Sequence, residues 1–230
     1  VFSDPGPRLV PPHTLYIFQT GPIVPYEGGS APSTALQRAA KGVSGVLNPL
    51  LVAAGVLVYL ICRSGNESEN QGTLLAVSLA FGVILPIAYI GLLVLRGDVR
   101  GFFIPVRERR LRPMLVGIAS YSLGFGLLRA VSAPRELETL MLCYAVNGLL
   151  VTVLTLRWKV SLHAVGAWGP LAALVFLFGP GALFLVPLPV AVSWARVALG
   201  VHSTAEVLAG GVMGFTSTWL LFQVAVVGVP

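Results

Sequence analysis

Charged side chains are scarce in this chain. Only 10% of its 230 residues are Asp, Glu, Lys or Arg, whereas 56% are hydrophobic. Soluble domains usually carry about 25% charged residues, so this supply is too small to cover a water-exposed surface. Several apolar stretches also exceed the roughly 18 residues that a membrane-spanning helix needs. The composition therefore excludes an ordinary soluble domain and predicts an all-α integral membrane protein.

Cysteine is scarce as well, which limits the metal and redox chemistry open to the chain. Cys62 and Cys143 lie in apolar stretches without a companion thiol or histidine at metal-ligand spacing. Neither a disulfide framework nor a zinc site is indicated, and we expect no metal and no cofactor. The net charge of +6 comes from cations beside apolar stretches. Membrane topology explains these cations better than nucleic acid binding does.

The chain divides into an arm and a membrane domain. Residues 1–41 contain seven prolines and lack the basic start and apolar core of a secretory signal. We expect a Pro- and Gly-rich, loop-like arm, either on the membrane surface or extended, that ends in a short helix around Thr34–Lys41.

Residues 42–230 are expected to form a polytopic transmembrane helical bundle. Counting apolar stretches gives seven spans, or six if the fifth and sixth are divided differently. The predicted spans are Val43–Cys62, Thr73–Leu95 with a kink at Pro86, Met114–Val131, Thr139–Leu156, one ending near Phe178, one running towards Trp194, and Ala205–Val227.

Three polar segments return to one side of this bundle. Arg96–Arg112 follows the second span, Lys159–His163 follows the fourth, and Arg196–Glu206 follows the sixth. Each pair of segments is separated by one helical hairpin, so all three lie at the same membrane face. Lys and Arg are concentrated there, and the positive-inside rule predicts that this face is cytoplasmic.

Two histidines begin predicted spans at this face, namely His163 and His202. An ionisable residue is costly at a membrane helix and is functional by default, although each imidazole could instead bond a carbonyl of a neighbouring helix. Glu206 lies four residues after His202, on the same helical face, so its carboxylate can hold the imidazole N–H. Arg196 lies six residues before His202. This arrangement suits nucleophilic attack on phosphorus.

The stretch from Ala195 to Gly210 resembles the third signature of the type 2 phosphatidic acid phosphatase superfamily, which is Ser-Arg, five residues, His, three residues and Asp. Arginine, histidine and a following Val-Leu-Ala-Gly match in place. Ala195 replaces the serine, and Glu206 replaces the aspartate.

The other two signatures of the superfamily are matched less completely. Pro-Ser-Gly-His is similar to residues 160–163, which keep Ser161 and His163. Lys, six residues and Arg-Pro is matched by Arg112 and the proline after it. The lysine position falls on a proline, and Arg107 or Arg109 is a possible source of the missing cation.

The resemblance implies a phosphatase-type core and a two-step phosphoryl transfer without a metal. His202 would be the nucleophile that forms a phosphohistidine, Glu206 would orient it, and His163 would protonate the leaving oxygen. The phosphate-binding residues would be Arg196, Arg112 and Ser161, with Arg107 or Arg109. The substrate would be a prenyl or glycerolipid phosphate or diphosphate, and the partners would be membrane lipids.

Two other functions stay open. The eroded first motif, together with Ala195 and Glu206, is compatible with a non-catalytic binding or structural subunit on a phosphatase-like scaffold. A transporter would also place rare charges within helices, but the sequence has no convincing inverted repeat. Neither the lipid nor the oligomeric state can be read from the sequence.

Two polar or small-residue features have simpler structural interpretations. Gly210, Gly211 and Gly214 have the spacing of a close helix contact. Asn147 lies in mid-span, where an interhelical hydrogen bond is expected.

Overall fold

The structure, a computed structural model, describes residues 34–63, 70–98 and 107–228, without the side chains of 107–110. Regular structure in these ranges is entirely helical, which confirms the all-α prediction. Residues 1–33, and with them most of the expected arm, lie outside the described residues. The α-helices are α1 (Ala35–Val46), α2 (Pro49–Arg63), α3 (Gln71–Leu79), α4 (Leu85–Leu95), α5 (Arg107–Ala130), α6 (Arg135–Thr155), α7 (Leu162–Phe178), α8 (Pro187–Ala198) and α9 (Thr204–Phe222).

Five helical segments among the described residues are long and apolar enough to cross a membrane. They are Gln71–Leu95, Leu111–Ala130, Arg135–Thr155, Pro180–Ala198 and Thr204–Gly228. The pair α1 and α2, bent by 42°, adds a sixth if it is counted as one span. The predicted fifth span is α7, an apolar helix of 17 residues that is shorter than the others. The expected helical bundle is present, with five such spans among the described residues, or six if the bent pair is counted, against the seven or six predicted.

The helix expected around Thr34–Lys41 is α1, which continues to Val46. Its start is fixed by a capping box, in which the Thr34 hydroxyl accepts from the Gln37 N–H and the Gln37 side chain accepts from the Thr34 N–H. Such reciprocal caps satisfy N–H groups that a helix start leaves without partners.

Pro86 acts through a π-helical turn at Ala80–Ile84, between α3 and α4. In that turn the Leu85 N–H bonds the Ala80 carbonyl, five residues back, so the Phe81 carbonyl would take its bond from residue 86. Proline has no N–H to give. The Ser120 hydroxyl of α5 supplies the missing donor, at 2.6 Å from the Phe81 oxygen. A neighbouring helix thus satisfies the carbonyl that Pro86 leaves free, as a membrane interior requires.

Helices α7 and α9 pack closely because α9 carries glycine where they meet. A Cβ at Gly210 would lie 2.7 Å from the Ser161 carbonyl oxygen. One at Gly214 would lie 2.7 Å from the Val165 carbonyl oxygen and 2.9 Å from its Cα. No side chain fits in these gaps, so the glycines are packing residues, as predicted.

Asn147 joins α6 to α9. Its Nδ2 donates to the Thr218 hydroxyl at 3.0 Å, and its Oδ1 accepts from the Ser217 hydroxyl. The predicted interhelical hydrogen bond is confirmed, and it fixes the register of α6 against α9, the helix that follows His202.

We predict that Ser120→Ala lowers the free energy of unfolding by about 1–3 kcal/mol, because the Phe81 carbonyl then has no donor. Ser122→Ala, on the exposed side of the same helix, should change it little. Reversible unfolding in mixed detergent micelles measures both. The penalty of Ser120→Ala should shrink in a Pro86→Ala background, where residue 86 has an N–H. An equal penalty in both backgrounds would contradict this account.

We also predict that Gly214→Ala destabilises the protein by about 1–3 kcal/mol, since a Cβ there would overlap the backbone of α7, which cannot yield as a flexible side chain can. Gly91→Ala is the matched control, because nothing lies within 4 Å of a Cβ at that position. The same unfolding measurement compares them. Equal stabilities of the two variants would show that α7 and α9 are not in close contact.

Candidate active site

The polar segments singled out in the sequence meet at one end of the bundle. α7 and α9 begin at this end and α8 finishes there, and the Ser161 N–H bonds the Glu206 carbonyl oxygen at 3.2 Å. The opposite end holds other cations. Arg63 lies 4.8 Å from the centre of the Phe178 ring, and Arg135 donates to the Ala225 carbonyl. The structure thus places two of the three segments, Lys159–His163 and Arg196–Glu206, at one end, and residues 99–106 of the third lie outside the described residues.

His202 is held by Glu206. Its Nδ1 lies 2.8 Å from Oε2 of the carboxylate, one helical turn away. An ionised carboxylate can only accept, so Nδ1 carries the proton and Nε2 keeps its lone pair. The imidazole is buried, which fixes its position. The predicted contact is present, but His202 precedes Ser203, the N-cap residue of α9, and so lies just before the helix rather than on its face. The contact leaves the ring in the tautomer that a nucleophile needs.

Glu206 also starts α9. The same Oε2 accepts from the Ser203 N–H at 3.2 Å, and the Ser203 hydroxyl accepts from the Glu206 N–H at 3.3 Å. This reciprocal pair is a capping box, in which glutamate or glutamine serves equally well. The same carboxylate therefore both stabilises the start of the helix and orients the imidazole.

Arg196 lies at the end of α8 and is buried. One guanidinium nitrogen donates to the hydroxyl of Ser44 at 2.9 Å. Ser44 belongs to α1 and is itself buried. α1 thereby positions an arginine 152 residues away in the chain, and it holds that arginine among the residues around His202.

Lys159 adds a second cation from the connection between α6 and α7. Its ammonium donates to the Val201 carbonyl at 2.6 Å, beside His202 in the chain. Lys159 and Arg196 both interact electrostatically with His202. We name these residues the His202 cluster: Ser44, Lys159, Arg196, His202 and Glu206.

The environment lowers the pKa of His202 from its ordinary value of 6.5. Burial is the main cause, since it disfavours the charged imidazolium, and the two cations act in the same direction. The hydrogen bond that His202 donates to Glu206 raises the pKa, because it favours the protonated ring. The balance favours a neutral imidazole at neutral pH, which is the form able to attack an electrophile.

Ser161 is fully buried at the start of α7. Its hydroxyl accepts from the Ala164 N–H at 3.4 Å, so the side chain caps its own helix. Its contact with the cluster is made by backbone, through the N–H that bonds the Glu206 carbonyl. A phosphate-binding role for Ser161 stays a prediction.

His163 lies on a different face of α7 from the residues that contact α9. It lines a cavity of about 200 Å³ together with Tyr121 and Tyr144. One turn along α7, a Cβ at Gly166 would lie 2.6 Å from the ring of Pro49. Positions three apart share a helical face, so this face is turned towards α2. Neither His202 nor Arg196 lines this cavity.

The first motif shares a cavity with His163. Arg112 is exposed on α5, and the neighbouring Pro113 lines the His163 cavity. The side chains of Arg107 and Arg109 lie outside the described residues. The structure thus brings His202, Glu206 and Arg196 together, and a common site that also holds His163 and Arg112 stays a prediction. Among the described residues, no group of three or more His, Cys, Asp or Glu side chains could hold a metal ion.

Two members of the His202 cluster were missed as site residues by the sequence analysis. Lys159 had a usable signal, because it lies two residues before Ser161 of the second motif. Ser44 had none, since only folding brings α1 beside Arg196. The double role of Glu206 was readable, because Ser203 precedes it by the three residues of a capping box.

No protein-family model, curated protein or solved structure matches this chain. The resemblance to the phosphatase superfamily therefore depends on the motif residues alone.

We predict that the pKa of His202, measured by NMR titration of a ¹⁵N-histidine-labelled sample, lies below 6.5. Glu206→Gln should lower this pKa further while preserving the capping box, because it removes the charge that favours the imidazolium. Lys159→Gln should raise it. The neutral ring also makes the native state lose stability as the pH falls below 6.5, where the unfolded chain binds the proton more readily. Shifts of the same sign in both variants would contradict the arrangement.

Proposed function

We propose that this protein is a membrane lipid phosphatase that hydrolyses a lipid phosphate or diphosphate through a phosphohistidine. The observation that carries the proposal is the 2.8 Å contact between His202 and Glu206 with the cations of Arg196 and Lys159 around it. An oriented neutral imidazole among cations suits attack on an anionic phosphorus. A bundle of apolar helices suits a substrate that is itself a membrane lipid.

In the first proposed step, Nε2 of His202 forms a bond to phosphorus while the bond from phosphorus to the leaving oxygen breaks. The leaving oxygen takes a proton from an acid, a role that the resemblance gives to His163. Water then attacks the phosphohistidine, the N–P bond breaks, and inorganic phosphate leaves. Arginine and lysine at the site offset the negative charge on the phosphate oxygens, which is the chief requirement of phosphoryl transfer.

The positive-inside rule supports a cytoplasmic position for this end of the bundle. Described cations near it, apart from Arg196, are Arg38, Lys41, Arg96, Arg112, Arg157 and Lys159. Cytoplasmic substrates would then reach the His202 cluster from the inner leaflet.

A second function is favoured by the position of His163. This residue lines a cavity of about 200 Å³ whose lining residues do not include His202. Such a site could bind a phosphate head without turnover, which is the function of a non-catalytic subunit. Phosphate release separates the two functions.

We predict that the purified protein releases phosphate from a lipid phosphate in detergent with excess chelator and no added magnesium. His202→Ala should abolish release, because it removes the imidazole nitrogen that forms the bond to phosphorus. Glu206→Gln should reduce kcat by about 10²-fold or more, as loss of an acid–base partner usually does. Colorimetric phosphate detection over a panel of prenyl and glycerolipid phosphates measures these rates.

The matched control is a pair of arginines at the same end of the bundle. Arg196→Gln should lower kcat/KM strongly, whereas Arg157→Gln, at an exposed position, should have little effect. Substrate binding without any release by the wild-type protein would establish the non-catalytic function instead. Full activity of His202→Ala would exclude His202 as the nucleophile.

A further inference from the structure

An apolar groove of about 590 Å³ lies between α2, α7 and α8. Its volume is within the roughly 300–1,000 Å³ typical of small-molecule sites. None of the described residues that line it is charged, and the only hydroxyl among them is that of Tyr59. The groove is therefore suited to hydrocarbon and not to a polar solute.

One end of the groove reaches the His202 cluster. Val192 of α8 lines the groove and lies one helical turn before Arg196, on the same face and about 6 Å away along the axis. Val46 of α1 also lines it, on the helix whose Ser44 accepts from Arg196. The groove thus begins about one helical turn from Arg196.

The other end lies deep in the bundle. Ala167 and Phe178 both line the groove, and the stretch of α7 between them covers about 16 Å at 1.5 Å per residue. Phe178 belongs to the end opposite to the His202 cluster, where it contacts Arg63. The groove therefore extends from a cationic site through much of the apolar layer.

Glycine keeps the groove open at its α2 wall. Gly55 lies within α2 and lines the groove, and nothing lies within 4 Å of a Cβ built on it. Glycine in a helix interior is less favourable than alanine by about 1 kcal/mol, and the packing here gives no reason for it. The open space at this position explains the glycine, because a larger side chain would narrow the groove.

We propose that this groove holds the hydrocarbon chain of a lipid whose phosphate head is bound at the His202 cluster. The proposal rests on the proposed function in taking the head to be a phosphate. Cations at one end and an uncharged channel beyond them match an anionic amphiphile with a long chain. A short, water-soluble phosphate ester would leave the groove unused, so the substrate class is a long-chain lipid phosphate.

The test uses the full chain in lipid nanodiscs and a long-chain lipid phosphate that carries a diazirine within its hydrocarbon chain. After illumination, mass spectrometry maps the labelled residues. We expect labels on Leu51, Leu185 and Val192, which line the groove. Gly55→Leu should reduce this labelling roughly tenfold, equivalent to about 1.4 kcal/mol of binding.

Two controls exclude ordinary contact with bilayer lipid. Gly126→Leu adds the same side chain at an exposed, open position of α5 and should leave the labelling unchanged. The diazirine alcohol of the same chain length, which lacks the phosphate, should label the groove far less than the lipid phosphate. Equal labelling by the alcohol, or labels on lipid-facing residues such as Leu123 at the level of the groove, would overturn the proposal.

Phosphate release by the same samples separates this proposal from the proposed function. Groove labelling that depends on Gly55 and on the phosphate, without any release, would refute the phosphatase and leave the groove assignment intact. Phosphate release by the wild-type protein with no groove labelling would refute the groove assignment and leave the phosphatase function intact. In an active protein, Gly55→Leu should lower kcat/KM for long-chain substrates roughly tenfold and leave a short-chain phosphate unaffected.

Discussion

The close approach of α7 and α9 is the constraint on which the candidate site depends. Glycine at 210 and 214 lets the two backbones meet where any side chain would overlap a carbonyl oxygen. That approach allows the Ser161 N–H to bond the Glu206 carbonyl, and it places Lys159 against the turn that carries His202. The site is therefore a product of helix packing, with its polar groups set on the ends of rigid helices rather than on long loops.

Within this site, Glu206 links folding to chemistry. A single carboxylate oxygen accepts from the N–H of Ser203, which caps α9, and from the imidazole of His202. The orientation of the ring is then as stable as the start of the helix. The surrounding cations and burial keep the imidazole neutral, so the same groups that would bind a phosphate also keep the proposed nucleophile in its reactive form.

Much of the fold could be predicted from hydropathy, because lipid as a solvent requires long apolar helices and internal backbone hydrogen bonds. The pair of His202 and Glu206 was also predictable, since its four-residue spacing is a local property of a helix. Other features depend on distant segments. Pro86 predicted a kink, but its π-helical turn is completed by Ser120 of another helix.

Motif spacing alone does not show which way each residue of a motif points. The short motif around Ser161 predicted a common site of His163 with His202, which stays a prediction, and adjacent residues of one helix point in directions about 100° apart. His163 consequently lines the cavity towards α2, while the neighbouring Ala164 contacts α9. Ser44 shows the converse case, in which an unremarkable serine gains a role because α1 folds against α8.

The central claim is that His202 attacks phosphorus, and trapping the phosphohistidine intermediate tests this claim most directly. A long-chain lipid phosphate is mixed with the protein, quenched at alkaline pH within the first turnover, and the peptides are analysed by mass spectrometry. The account predicts a phosphate adduct on His202 that disappears with time as phosphate is released. An adduct on a different side chain, or phosphate release with no histidine adduct at any time, would contradict it.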